Sequence, residues 1–156
     1  FGKALGGASG GFTTGPKEII EMLRQKSRPY LFSNSLAPNI VYASIEAIKI
    51  IKKSNALRQK LNKNTQYFRQ GLKKIGFNIK EGTHPIIPVM LGDALLAKKL
   101  AEGLLHENIY VVSFSFPVVP KEEARIRLQI SAAHTKKQLD YALQAFKKIG
   151  QELKII

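Results

Sequence analysis

Apolar residues recur at helical spacing in the middle of the chain. From Pro38 to Lys53 they fall three or four positions apart, at Ile40, Val41, Ile45, Ile48 and Ile51. This spacing predicts a helix, and because few positions before Lys49 are polar we expect it to be mostly buried. A second helix is predicted from about Ala56 to Ile75, with Gly76 as its stop and an inward face of Leu57, Leu61, Phe68, Leu72 and Ile75.

Shorter elements are predicted before this pair. Small residues at 8–14 indicate a short strand or hairpin, and a helix opens at Pro16 and ends near Ser27. The apolar run at 30–33 is typical of a short strand. We place a domain boundary near residue 54, between 1–54 and 55–156, because Ser54 and Asn55 interrupt the helical pattern.

The pattern beyond Gly76 is that of a small α+β layer with an antiparallel or mixed sheet. In chain order we predict alternation at 77–80, a strand at 85–91, a helix over 94–107, strands at 109–116 and 124–131, and a last helix. The two prolines in the strand at 85–91 make it an edge strand or an interrupted one. Thr135 and Gln138 form a capping box that begins the last helix. The inward leucines of the 94–107 helix are Leu95, Leu96, Leu100, Leu104 and Leu105.

The strand over 124–131 has the cleanest alternation in the chain. Ile126, Leu128 and Ile130 share one face, and the opposite face carries Arg125, Arg127, Gln129 and Ser131. Since the apolar face packs on helices, the polar face lies toward solvent or a cleft. An arginine there is either an exposed strand residue or a fork that binds a carboxylate.

The composition is strongly basic, with a net charge of +14 over 156 residues. Such a charge raises nucleic acid as a partner. However, the five Lys-Lys pairs are scattered over several predicted helices, and no basic strand with interleaved aromatic residues occurs, so we expect no nucleic-acid partner. The absence of cysteine excludes disulfides, and no apolar run is long enough to span a bilayer, so we expect no membrane partner.

Candidate chemistry lies in two polar segments. Lys3 sits in a run that holds six of the twelve glycines, and it is either a solvated tail residue or an amine nucleophile that forms a Schiff base. Ser33, Asn34 and Ser35 precede a predicted helix, where they suit a bound anion or, equally, ordinary capping by Ser35. The spacing of the three histidines indicates no metal site, and His134 is most simply a turn residue.

Four separated blocks resemble the α-oxoamine synthase family of pyridoxal-phosphate (PLP)-dependent enzymes. They are F-G-K-A-L-G-G-A-S-G-G (1–11), S-R-P-Y-L-F-S-N-S-L-A-P (27–38), H-P-I-I-P-V-M-L-G-D-A (84–94) and the segment from P-V-V-P to A-R-I-R-L-Q-I-S-A-A-H-T (117–135). The second and fourth blocks favour the branch of glycine C-acetyltransferases. The resemblance implies an α/β fold: the C-terminal portion of a PLP-dependent transferase, with the end of the large domain followed by a small α+β domain.

The resemblance also assigns roles to residues. It implies that Lys3 binds PLP and is the catalytic base, that Ser33, Asn34 and Ser35 hold the cofactor phosphate of a neighbouring subunit in a homodimer, and that Arg127 binds the amino-acid carboxylate. It implies a cytoplasmic acyltransferase that condenses glycine with acetyl-coenzyme A, or runs in reverse in threonine breakdown. Because the family's N-terminal half is absent, we expect this chain alone to be inactive.

Other functions remain open from the sequence. Within the family, 8-amino-7-oxononanoate synthase, 5-aminolevulinate synthase and serine palmitoyltransferase perform the same condensation with other partners. A basic nucleic-acid-binding module and a non-catalytic oligomerisation fragment are the alternatives from other classes. His134 is also a candidate for the acyl-coenzyme A site.

Overall fold

The computed structural model describes residues 1–3, 5–6 and 9–156. The chain divides into two compact units, Phe1–Asn55 and Ala56–Ile156. The first unit is a glycine-rich loop followed by helices, and the second is a small sheet with helices.

Three helices form the regular part of the first unit: α1 (Lys17–Lys26), α2 (Arg28–Phe32) and α3 (Pro38–Lys53). Proline occupies the first turn of both α2 and α3, where its missing N–H costs no hydrogen bond. Ser27 ends α1 and caps α2 with an extended backbone, so the two helices follow each other directly.

Two short strands expected in this unit are wrong. The run at 30–33 is helical through Phe32, because Pro29 favours a helical first turn and the N–H groups of Tyr30 and Leu31 donate to the carbonyl of Ser27 at 3.1 and 3.0 Å. A short apolar run does not by itself distinguish helix from strand. Residues 9–14 form no strand either, and the first residue of that predicted element, Ala8, lies outside the described residues.

The expectation that α3 is mostly buried is also wrong for this chain. Ser44 is its only buried residue, while Ile45, Ile48 and Ile51 are 42%, 39% and 44% exposed. The spacing of apolar residues identifies the face that turns toward a partner, but burial requires the partner itself.

The second unit contains three helices and a three-stranded antiparallel sheet of order β1-β3-β2. In chain order its elements are α4 (Ala56–Ile75), β1 (Ile86–Gly92), α5 (Ala94–His106), β2 (Val112–Phe114), β3 (Ala124–Gln129) and α6 (Lys136–Glu152). This confirms the predicted small antiparallel sheet. The strand expected over 109–116 shortens to three residues.

β1 tolerates Pro88 because of the direction in which its backbone groups point. The alternating segment before β1 forms an isolated bridge to it, between Ile79 and Val89. In this bridge the Pro88 carbonyl accepts the N–H of Lys80, and the N–H of Met90 donates to the Asn78 carbonyl. The backbone nitrogen of Pro88 therefore lies on the side away from β3. A missing donor at the sheet edge removes no bond of the central ladder.

The core of the second unit lies between one face of the sheet and the helices. Phe146 of α6 is fully buried and meets Phe68 and Phe77 edge to face, with ring centroids 6.3 and 5.5 Å apart. The other buried large side chains include Leu72, Ile87, Val89, Leu100, Leu104, Ile126 and Leu128. Three leucines expected to face inward, Leu57, Leu95 and Leu105, are instead 69%, 59% and 57% exposed.

Two local signals are confirmed. Gly76 ends α4 with φ +113°, and the N–H of Phe77 reaches back to the carbonyl of Leu72 at 3.1 Å. Thr135 and Gln138 form the predicted capping box of α6. No helix within the described ranges combines the length and apolar character needed to cross a bilayer.

Candidate functional site

The loop that carries Lys3 folds back on itself. The backbone nitrogen of Phe1 donates to the carbonyl of Gly10 at 2.8 Å, and the rings of Phe1 and Phe12 stack with centroids 5.4 Å apart. Within the loop the N–H of Gly6 donates to the carbonyl of Lys3 at 3.0 Å. These contacts turn the chain at Lys3, whose side chain is exposed.

Leu36 connects this loop to the second polar segment. Its side chain lies against Gly10, which has φ +79°, and a Cβ at Gly10 would overlap the leucine. The positive φ favours glycine at this position, and a larger residue would also force the tip of the Leu36 side chain to move. Because Leu36 directly follows Ser35, the contact brings the polar segment 33–35 beside the loop within the first unit.

The side chains of the polar segment 33–35 make no hydrogen bond to the described part of the chain. Ser33, Asn34 and Ser35 are exposed. The N-cap of α3 is Ala37, and no side chain caps the helix, so capping by Ser35 is not the reason for these residues. Uncapped backbone N–H groups and nearby hydroxyls are the donors that a phosphate uses at a helix start. The segment fits an anion better than it fits a structural cap.

Arg127 and Arg125 share the polar face of β3 but have different neighbours. Arg125 is paired with Glu123, with 3.3 Å between its guanidinium and the carboxylate. Arg127 has no ion pair or hydrogen bond to the described part of the chain; its guanidinium lies over the ring of Phe114, 4.7 Å from the centroid. Arg127 therefore retains its full set of N–H donors for a ligand.

The predicted site residues are distributed over both units. Lys3 and the segment Ser33–Ser35 belong to the first unit, and Arg127 belongs to the second. Their side chains make no hydrogen bond or ion pair to the described residues of their own unit.

The histidines are engaged in local structure. The imidazole Nδ1 of His134 accepts the Ser131 N–H at 3.2 Å, and Asn64 donates to the carbonyls of both residues at 3.1 and 3.0 Å. His84 similarly accepts the N–H of Ile86 at 3.1 Å. Over the described residues no three His, Cys, Asp or Glu side chains cluster as metal ligands would.

A cleft of about 590 Å³ opens in the second unit near α6. His134, the candidate for the acyl-coenzyme A site, lies along it with Lys137 and Tyr141, whereas Lys3, the segment 33–35 and Arg127 do not. Beside it, Glu107 accepts bonds from Lys148 at 2.7 Å and from the Tyr141 hydroxyl at 3.1 Å. These two donors, Lys148 first, lower the pKa of Glu107, and the bond to Glu107 raises the pKa of Lys148.

The lysine pairs do not form a binding stripe. One lysine in each of four pairs meets a carboxylate of its own unit: Lys73 with Glu81, Lys98 with Glu102, Lys136 with Asp140 and Lys148 with Glu107. Such local pairing divides the positive charge among separate helices.

Two residues escaped the sequence analysis. Arg69, which the predicted inward face of α4 did not include, is 8% exposed, and its guanidinium donates to the carbonyls of Lys80, His84 and Ile86 at 2.9–3.1 Å. The position of Arg69 could have indicated its burial. It lies four residues after Thr65 and three before Leu72, on the same face of α4, and both of those residues are buried. The spacing of residues along the chain could not predict the contact between Phe114 and Arg127, because the two residues lie on different strands.

Comparison with known proteins identifies the family. The family model for aminotransferases of class I and II matches residues 1–146. The chain is 54% identical over all its 156 residues to the 2-amino-3-ketobutyrate coenzyme A ligase of Escherichia coli (strain K12), of which it covers 39%. It is 50% identical over 151 residues to the mitochondrial enzyme of that name from Homo sapiens, covering 97% of this chain and 36% of the human protein.

Other relatives have different names. An 8-amino-7-oxononanoate synthase from Thermosipho melanesiensis is 45% identical over 150 residues, which cover 96% of this chain and 38% of that protein. A solved structure of SPT with PLP superposes with a TM-score of 0.80 at 30% identity, covering 90% of this chain and 36% of that one. The chain thus spans about two-fifths of the relatives it matches, and it belongs to the class I and II aminotransferase family.

Proposed function

We propose that the full-length protein containing this chain is a PLP-dependent glycine C-acetyltransferase. It condenses glycine with acetyl-coenzyme A to give 2-amino-3-oxobutyrate and coenzyme A, and the reverse reaction serves threonine breakdown. The observation that carries the proposal is the 54% identity to 2-amino-3-ketobutyrate coenzyme A ligase across the whole chain. The fold likeness to SPT with PLP supports the cofactor.

The residues of the first unit fit that cofactor. Lys3 offers an exposed amine in a loop with little side-chain bulk, and it would hold PLP covalently. Ser33, Asn34 and Ser35 lie beside the uncapped start of α3, with side chains that no described residue engages, and they would hold its phosphate. When bound, PLP supplies an electron sink that makes the α-proton of the amino acid removable.

The remaining chemistry belongs to side chains of this chain. Arg127 binds the carboxylate of glycine through two parallel N–H donors, which sets both the position and the plane of the substrate. Once its covalent bond to the cofactor is broken, the free amine of Lys3 would accept the α-proton and so act as the general base. Arg125 is the poorer carboxylate ligand, because Glu123 already occupies part of its guanidinium.

The first experiment locates the cofactor lysine. The full-length protein is incubated with PLP, reduced with borohydride and mapped by mass spectrometry. We expect one adduct, on Lys3, that disappears in Lys3→Ala and persists in Lys17→Ala, a matched change at an exposed lysine paired with Glu21. An adduct that survives Lys3→Ala would remove the proposed role. Transferase turnover by the 156-residue chain alone would contradict the expectation that it is inactive.

The second experiment concerns the homodimer. If Ser33–Ser35 serve the neighbouring subunit, a mixed dimer of Lys3→Ala and a triple alanine variant at 33–35 contains one intact site. We expect each isolated mixed dimer to have about half of the activity of the parent dimer, because one of its two sites is intact. Each variant alone should be weak or inactive. No recovery from isolated mixed dimers would place phosphate binding within one subunit.

The third experiment measures the carboxylate ligand. Losing a bidentate, charge-assisted interaction costs about 3 kcal/mol, so Arg127→Ala should raise the KM for glycine roughly 100-fold. Arg125→Ala should raise it far less. The KM for acetyl-coenzyme A should not change in either variant. An unchanged KM for glycine in Arg127→Ala would contradict the assignment.

The second candidate function is that of an 8-amino-7-oxononanoate synthase, which the 45% identical Thermosipho melanesiensis relative supports. Turnover with glycine, alanine and serine against acetyl- and longer acyl-coenzyme A distinguishes the two. We expect the highest kcat/KM with glycine and acetyl-coenzyme A. We propose a cytoplasmic location, in contrast to the mitochondrial human relative, and cell fractionation tests it.

A further inference from the structure

The ring of Phe114 is the immediate neighbour of the Arg127 guanidinium. The two residues are on adjacent strands, where Phe114 pairs with Arg125 and Val112 pairs with Arg127. The ring thus reaches Arg127 along the diagonal of the sheet, a distance that aromatic side chains span. The guanidinium carbon lies 4.7 Å from the ring centroid, within the range of a cation–π contact.

This contact orders Arg127 without using its hydrogen-bond donors. An aromatic ring attracts the charge of a guanidinium through its π-system, and it offers no oxygen atom that would accept the N–H groups. Arg125 is held in the opposite way, by an in-plane bond to Glu123 at 3.3 Å. A carboxylate partner would orient Arg127 equally well, but it would occupy the donors that a substrate needs.

We propose that Phe114 is a positioning residue for the amino-acid substrate. It holds the fork of Arg127 in place while all five of its N–H donors stay free for the substrate carboxylate. The proposal rests on the function proposed above, because it assumes that Arg127 binds that carboxylate. Phe114 itself neither touches the reacting atoms nor transfers a proton.

The inference predicts a selective change in substrate affinity. Without the ring, an exposed arginine samples several rotamers, and each binding event must order it again. A cation–π contact at an exposed site is weak, so Phe114→Leu should raise the KM for glycine about two- to fivefold. The value of kcat and the KM for acetyl-coenzyme A should stay within about a factor of 1.5, and Phe114→Tyr, which keeps the ring, should match the parent protein.

The matched control is Phe116→Leu. Phe116 lies two residues further on, is 63% exposed and stacks with a different cation, Lys121, at 5.5 Å. The substitution Phe116→Leu removes an aromatic ring from the same segment and leaves the contact of Phe114 with Arg127 in place. We expect no change in either KM, and thermal unfolding of all variants should agree within about 3 °C.

A double-mutant cycle separates this inference from the proposed function. Dissociation constants for glycine are measured by absorbance titration of the PLP-loaded full-length protein, with methylamine as the amine that lacks a carboxylate. If Phe114 acts through Arg127, Phe114→Leu weakens glycine but not methylamine, and it has no further effect in the Arg127→Ala background.

Each contrary outcome has its own meaning. If Arg127→Ala weakens glycine but Phe114→Leu does not, the positioning role is wrong and the proposed function stands. An equal loss for methylamine, or for Phe116→Leu, would also overturn the positioning role. If Arg127→Ala leaves glycine affinity unchanged, the assignment of Arg127 fails and the inference fails with it.

Discussion

The two units of this chain differ in how they use their apolar residues. All eighteen buried hydrophobic residues lie in the second unit, whereas Ser44 is the single buried residue among the described positions of the first. Yet α3 is no less apolar in pattern than α4. The difference shows that amphipathic spacing places apolar side chains on one face of a helix. That face contributes to stability only where another element packs against it.

The candidate chemistry follows the same division. The first unit carries the lysine and the polar segment proposed for the cofactor, on a scaffold with almost no core of its own. The second unit carries the arginine proposed for the substrate, on a sheet backed by a packed core. Substitutions in the second unit should therefore change the free energy of unfolding of the isolated chain, while matched substitutions in the first should not.

The largest expected difference is between two core-type residues. Phe146→Ala removes a fully buried ring and should lower the free energy of unfolding by about 3–5 kcal/mol. Ile48→Ala on α3, where the side chain is 39% exposed, should cost less than about 1 kcal/mol. Urea unfolding of the 156-residue chain, followed by circular dichroism, measures both. Equal losses would mean that α3 is packed as firmly as α6.

The next pair consists of two arginines. Arg69→Met leaves three carbonyls without their buried donor and should cost about 2–3 kcal/mol. Arg28→Met removes an exposed stack on Phe32 at 5.7 Å and should change the free energy of unfolding by less than about 0.5 kcal/mol. Amide hydrogen exchange, resolved by mass spectrometry, should show faster exchange at 80–92 in Arg69→Met. Unchanged exchange there would argue against the anchoring role of Arg69.

A smaller difference is expected at two helix starts. Thr135→Ala breaks the capping box of α6 and should cost about 1 kcal/mol. Ser35→Ala removes no cap from α3 and should leave the stability of the chain unchanged. In the full-length protein we expect Ser35→Ala to weaken the affinity for PLP more than Thr135→Ala does. A stability loss in Ser35→Ala would restore a capping role for this serine.

The smallest difference concerns two carboxylates that pair with lysine side chains, Glu107 and Glu46. The folded-state pKa of Glu107 is lowered by Lys148 and then Tyr141, so its stabilising contribution is present above about pH 4.5, the ordinary glutamate value, and is lost as the pH falls through the lowered pKa. Glu107→Gln should flatten the loss of thermal stability in this acidic range. Glu46→Gln, at a pair with Lys49 within α3, should have less effect on the melting curve. Identical pH profiles for Glu107→Gln and the parent chain would refute the expected contribution of Glu107.

Local chemistry decided much of this structure, and the sequence alone predicted those parts. Gly76 stops α4 because glycine tolerates positive φ, and Thr135 begins α6 because its hydroxyl and Gln138 satisfy backbone groups three residues apart. The alternation over 124–131 predicted the buried face of β3 and the arginines on the other. The resemblance of four ordered blocks, which include those around Lys3 and Arg127, indicated a PLP-dependent family.

Tertiary structure decided what depends on residues distant in the chain. It left the apolar face of α3 exposed, buried Arg69 against three carbonyls and placed the ring of Phe114 against Arg127. Spacing within one element reports only which side chains share a face. Which partner meets that face, and which arginine stays unpaired, follows from strand pairing and packing, where the free energies of burial and hydrogen bonding depend on both partners.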